Sequence, residues 1–113
     1  MPESLAIQLK KGVLELCVLA LLSAGDNYAY EIAQRLADAV DMGEGTIYPL
    51  MRRLQAEGYV STYLVESASG PPRKYYRLTD AGRTEMNAQR ESWEHFVEAV
   101  QAIVTLSKTG EAP

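Results

Sequence analysis

Gly45-Thr46-Ile47-Tyr48-Pro49-Leu50-Met51-Arg52-Arg53-Leu54 and, further along, Gly70-Pro71-Pro72-Arg73-Lys74-Tyr75-Tyr76-Arg77-Leu78-Thr79 are the two stretches whose reading decides the fold. In the first, Ile47, Leu50, Met51 and Leu54 recur at helical spacing, while Thr46, Tyr48, Arg52 and Arg53 fall on the alternate face. This predicts a short helix from about Gly45 to Glu57, closed by Gly58. Pro49 fits near a first turn, where a missing N–H costs little. The second stretch predicts a basic, tyrosine-rich strand, Arg73 to Leu78, entered through a turn signal from Ser67 to Pro72. Between the two, Tyr59 to Val65 is rich in β-branched and aromatic residues, so the strands form a hairpin.

Upstream, Leu9 to Ser23 is apolar at nearly every helical position and reads as a central helix stopped by Gly25-Asp26-Asn27. Tyr28 to Val40 carries Ile32, Leu36 and Val40 at steps of four, with Tyr28 and Ala29 extending the stripe, which predicts an amphipathic surface helix. Gly43 and Gly45 mark the turn after it. Downstream, Thr79-Asp80 supplies an N-cap for a long helix reaching about Ser107. Helices, a hairpin and a long helix in this order predict a mainly α (α+β) fold, a winged helix-turn-helix with a long C-terminal dimerisation helix. Residues 1–80 form the winged part and residues 81–108 the last helix, in one compact unit. Only Met1 to Ser4 and Thr109 to Pro113 read as loose ends.

A chain of 113 residues with 47% hydrophobic content has room for one domain with a modest core. The longest apolar run, Val13 to Leu22, is interrupted by Glu15 and falls short of the ~20 residues that cross a bilayer. No charged segment, apolar stretch and small-residue cleavage site open the chain, so the expected location is the cytoplasm. Cys17, the single cysteine, lies in the apolar run as a small core residue. No nucleophile motif, phosphate-binding glycine loop or metal set is present, so the reading is not an enzyme and needs no cofactor.

The net charge of -4 weighs against nucleic acid as partner until the distribution is considered. Gly45 to Ala56 holds two arginines and no acid, Ser67 to Thr79 holds Arg73, Lys74 and Arg77 and no acid, and the acids gather in the last third at Glu85, Glu91, Glu94 and Glu98. A helix and a basic wing of this kind suit the grip of double-stranded DNA. Thr46, Tyr48, Arg52 and Arg53 are the candidates to face the major groove, since the planar fork of arginine can bond guanine O6 and N7 together. Which arginine reads a base and which holds a phosphate stays open. Tyr28 and Tyr30 at the start of the second helix, Lys10 and Lys11 on the arm, and Gly70, Arg73 and Lys74 on the wing are the candidates to hold the backbone. A winged helix that binds only protein is the competing reading, because fold does not fix function.

At these residues the chain resembles the PadR family of bacterial transcription regulators. The likeness rests on Leu9-Lys10-Lys11-Gly12-Val13-Leu14-Glu15, Tyr28-Ala29-Tyr30-Glu31-Ile32, Gly45-Thr46-Ile47-Tyr48-Pro49 and Gly70 to Thr79, and spans roughly Leu9 to Val104. Ala29 departs from the histidine or glycine often found there. The single helix after the wing is similar to that of the small subgroup, which dimerises through it. The resemblance implies a dimeric regulator, usually a repressor, that binds an inverted repeat and is released by a small molecule or other signal.

The last helix points to a homodimer without that likeness. Trp93, Phe96, Val97, Val100, Ile103 and Val104 form a stripe broader than one small core can cover, and a symmetric partner would hide the surplus. In such a dimer the two reading helices enter successive major grooves about 34 Å apart. Trp93 and Phe96 are also candidate contacts for a flat aromatic or apolar effector, with packing of the dimer core as the first assignment for Trp93. His95, the one histidine, has no companions for a metal site and reads as a solvent-facing or pH-sensitive dimer residue.

Overall fold

The structure, a computed structural model, describes residues 5–41 and 44–109, with the side chains of residues 5–8, 10, 11, 44 and 109 outside that description. Met1 to Ser4 and Gly43, together with Gly110 to Pro113, therefore lie outside the described residues. The order is α1 (Leu5–Ala24), β1 (Asn27–Tyr28), α2 (Ala29–Val40), α3 (Glu44–Ala56), β2 (Val60–Ser67), β3 (Gly70–Leu78) and α4 (Asp80–Thr109). This is a winged helix-turn-helix with a small three-stranded antiparallel sheet and a long C-terminal helix.

The apolar periods find each other in one core. Val18 and Leu19 of α1, Ile32 and Ala33 of α2, and Ile47, Met51 and Leu54 of α3 are all fully buried, and Val60, Tyr76, Leu78 and Met86 close the cluster from the sheet and α4. The C-terminus of α3 ends as its glycine predicts. Gly58 takes φ 82°, its N–H donates to the Gln55 carbonyl at 3.1 Å, and the Tyr59 N–H donates to Leu54 at 3.0 Å, a Schellman closure.

Four details differ from the sequence reading. β1 was not expected: Asn27 and Tyr28 pair with Tyr76 and Tyr75 of β3, so Tyr28 is strand and α2 begins at Ala29. A two-residue strand has no period of its own and is created by its distant partner. The hairpin turn is only Ala68-Ser69, and Gly70 to Pro72 already belong to β3. Two residues that cannot donate to a ladder fit there because the register slips between Val65 and Ser67, a bulge that sets Pro71 and Pro72 against Glu66. Pro49 stands in the second turn of α3, not the first, and Gly45 is helical. The Gly45 carbonyl loses its intrahelical donor there, at an exposed residue. Finally, α1 starts at Leu5 and not Leu9.

One joint connects the end of α3 to the start of α4. The Thr79 hydroxyl accepts from the Gly82 N–H at 3.0 Å, capping α4, and donates to the Gly58 carbonyl at 2.7 Å; the Thr79 N–H donates to the Tyr59 carbonyl at 3.1 Å. Gly82 makes this approach possible, since a Cβ there would lie 2.0 Å from the Tyr59 carbonyl oxygen and 2.7 Å from Leu78 Cδ1. Beyond it α4 departs from the core, and every residue from Arg90 to Lys108 is exposed.

Gly82→Ala should therefore destabilise the fold by more than about 2 kcal/mol, because backbone has to move to admit the methyl group. Urea unfolding at fixed protein concentration measures this, and an unchanged midpoint would mean that the joint is looser than described.

Candidate nucleic-acid interface

Burial sets the roll of α3. With Ile47, Leu50, Met51 and Leu54 facing the core, Thr46, Tyr48 and Arg52 are left exposed, and Arg52 makes no ion pair or hydrogen bond among the described residues. Arg53 is placed differently. Its Nη2 donates to Glu15 Oε1 of α1 at 2.7 Å and its Nη1 to Glu57 Oε1 at 3.0 Å, bonds that raise its pKa above the ordinary arginine value. The paired arginines of the sequence thus separate into one with no partner among the described residues and one bracketed by two carboxylates.

The wing is tied to the start of α2 through an aromatic row. Tyr28 of β1, Tyr75 of β3 and Tyr63 of β2 are direct cross-strand neighbours, with ring centroids 5.3 and 5.8 Å apart. The Arg73 guanidinium lies 4.7 Å over the Tyr28 ring and that of Arg77 lies 5.0 Å over Tyr63, one cation at each end of the row. Lys74 emerges on the other side of β3, 5.6 Å over the buried Tyr76 ring. Tyr30 is exposed on α2, and Gly70 is exposed where β3 begins. The side chains of Lys10 and Lys11 lie outside the described residues.

Asp26, read in the sequence only as part of a stop signal, anchors this row. Its Oδ2 accepts from the Tyr63 hydroxyl at 2.7 Å and from Arg77 Nε at 3.3 Å. Accepting from the phenol pushes the Tyr63 pKa up, with burial and the negative charge of Asp26 acting in the same direction. Glu15 and Gln89 are the other residues that sequence reasoning missed: the Gln89 amide donates to Glu15 Oε2, so the carboxylate that holds Arg53 also holds α4. No local signal marks any of these three, because each bond spans distant parts of the chain.

The apolar stripe of α4 stands in solvent. Trp93, Phe96, Val97, Val100, Ile103 and Val104 are all exposed, Phe96 at 62% and Ile103 at 68%. Trp93 and Phe96 border a groove of about 440 Å³ between α1 and α4, which Gly12, Val13 and Leu16 line from the other side. His95 is exposed among Glu91, Glu94 and Glu98. Among the described residues no group of three or more His, Cys, Asp or Glu side chains could hold a metal ion, and no helix is long and apolar enough to cross a membrane. Cys17 is half-buried, which pushes its thiol pKa up and disfavours the reactive thiolate.

Residues 18–88 match the profile of the Transcriptional regulator PadR-like family. The chain belongs to that family. Among solved PadR-like structures, a regulator from Bacillus cereus is 36% identical, with a TM-score of 0.78 over 86% of this chain and 96% of its own. A PadR-like transcription factor from Bacteroides fragilis is 42% identical, with a TM-score of 0.71 over 85% of this chain and 94% of its own. PadR of Bacillus subtilis, solved in complex with operator DNA, is 26% identical, with a TM-score of 0.62 over 68% of this chain and 46% of its own. An uncharacterised protein of Lysinibacillus sphaericus is 28% identical over 80% of this chain and 86% of its own.

The Asp26 anchor makes a pH prediction for this PadR-like wing. A Tyr63 pKa raised above the ordinary value of about 10 means that the Tyr63–Asp26 bond stabilises the fold below the unfolded tyrosine's pKa and is lost as pH rises through the folded one. Asp26→Asn should lower the pH at which Tyr63 ionises, followed by NMR of ring-labelled tyrosine. An unchanged titration would show that the bond is not held in solution.

Proposed function

We propose that the chain is a sequence-specific DNA-binding regulator that acts as a homodimer on an inverted-repeat operator, as a repressor released by a small-molecule effector. The observation that carries this reading is Arg52, without a partner among the described residues and held outward by the buried face of α3 beside Thr46 and Tyr48. Arg52 reads a base edge, Thr46 and Tyr48 contact the groove around it, and Tyr30 and Tyr28 support the backbone from the start of α2. Gly70, Arg73 and Lys74 bring the wing to the flanking phosphates, and Lys10 and Lys11 add charge from the N-terminal side. The complex of Bacillus subtilis PadR with operator DNA supports carrying this role to a chain of the same family. Gene regulation of this kind operates in the cytoplasm and requires no catalysis.

Dimerisation in this reading uses α4. A helix exposed from Arg90 to Lys108 with Trp93, Phe96, Val97, Val100, Ile103 and Val104 along one stripe gains most by meeting a second copy of itself. The effector, a flat aromatic or apolar molecule, is assigned to Trp93 and Phe96 beside the α1–α4 groove. It releases DNA by binding one arrangement of the two winged units more tightly than the other.

Arg52→Ala should weaken binding to a duplex selected from a random pool by about tenfold or more, the worth of a bidentate base contact, without changing the circular dichroism spectrum. Equal binding of selected and scrambled duplexes by the unmodified protein, with no loss at rising salt, would instead support a module that binds only protein. Ile103→Asp, at a position that covers none of the protomer's own core, should give a folded monomer in sedimentation and abolish tight operator binding. A dimer that survives the charge would place the interface elsewhere.

A further inference from the structure

We propose that Glu15 is a positioning residue that fixes the reading helix relative to α4, and that Arg53 serves DNA recognition through this bond and not by touching DNA. The inference rests on the DNA-binding reading above. One carboxylate carries both links: Oε1 accepts from Arg53 Nη2 in the last turns of α3, and Oε2 accepts from the Gln89 amide of α4. The Glu15 side chain is 23% exposed and that of Arg53 50%, so the carboxylate sits at the junction of three helices and the guanidinium reaches it from the surface.

Charge argues in the same direction. Arg53 with Glu15 and Glu57 sums to a net charge of -1, an arrangement that draws a phosphate less than an unbonded arginine does, whereas the neighbouring Arg52 has no ion-pair partner among the described residues. The two arginines therefore divide the work, one reading and one holding the reader. The Thr79 joint is a further tie, from the start of α4 to Gly58 and Tyr59 just after α3. With its first turn fixed there, the following turns of α4 are held against α1 by the buried Met86 and by the Glu15–Gln89 bond. Gln89 also lines the α1–α4 groove together with Trp93. A molecule or partner side chain entering that groove meets the amide whose bond reaches α3 through a single carboxylate.

Glu15→Gln and the double variant Glu15→Gln with Arg53→Ala separate this role from direct contact. The double variant keeps the cluster at its original net charge while removing the link to α3. Binding is measured against salt for two probes, a duplex selected from a random pool by the unmodified protein and a scrambled duplex of the same composition, with folding checked by circular dichroism and melting. Glu15→Gln should bind the selected duplex about fivefold or more weaker, despite losing a negative charge, with little change on the scrambled one. The double variant should bind the selected duplex no worse than Glu15→Gln does and should keep the original salt slope. Gln89→Ala, which leaves Arg53 on Glu15, should lose part of the same preference.

Tighter binding by Glu15→Gln, or a double variant whose slope of log affinity against log salt falls by about 0.9, would mean that Arg53 holds a phosphate and would overturn the proposal. So would a melting temperature that drops while the ratio of selected to scrambled binding stays unchanged, which is the mark of a purely structural bond. A full ratio in Gln89→Ala would overturn the link to α4. If the unmodified protein selects no sequence at all, the DNA-binding reading fails first, and that outcome is distinguishable from these.

Discussion

The burial of Ile47, Leu50, Met51 and Leu54 is the constraint on which the rest of the molecule depends. Each large apolar side chain taken fully out of water contributes about 1.5–3 kcal/mol, so turning α3 by one residue would expose a core side chain and bury a charged one. No exposed hydrogen bond or ion pair among the described residues is strong enough to oppose that. The direction of Thr46, Tyr48 and Arg52 is therefore a consequence of core packing. The same packing aims Arg53 toward α1, where Glu15 receives it.

Around that helix the chain builds two rigid attachments. On one side the row Tyr28–Tyr75–Tyr63, anchored by Asp26, fastens the wing to the start of α2, so the basic hairpin has a defined direction although its tip is only Ala68-Ser69. On the other side Thr79 and Gly82 lock the start of α4 to the closure of α3 at Gly58. In the dimeric, effector-released reading proposed above, this joint is where a change in α4 would reach α3, because packed joints shift between discrete arrangements.

What was legible in the sequence was whatever has a period or a punctuation mark. The stripes of α2, α3 and α4, the αL glycine at Gly58 and the cap at Thr79 appear in the structure where patterning placed them, within a few residues. The misreadings share a cause. β1 exists only because β3 runs beside Asn27 and Tyr28, and Pro71 and Pro72 look like a turn until the bulge opposite Glu66 admits them into a strand. The separation of Arg52 from Arg53, adjacent in sequence and different in environment, depends on a carboxylate 38 residues away. Side-chain bonds across such distances leave no trace in local composition, which is why Glu15, Asp26 and Gln89 emerge only from the folded chain.

Methylation interference on a duplex selected by the protein tests the central claim most directly, since it asks where major-groove guanine N7 atoms must stay unmodified. Two reading helices held outward by the same core and joined through α4 predict two interference clusters in successive major grooves, about 34 Å apart and related by a twofold axis. A single cluster, or protection without any guanine in the major groove, would contradict the account.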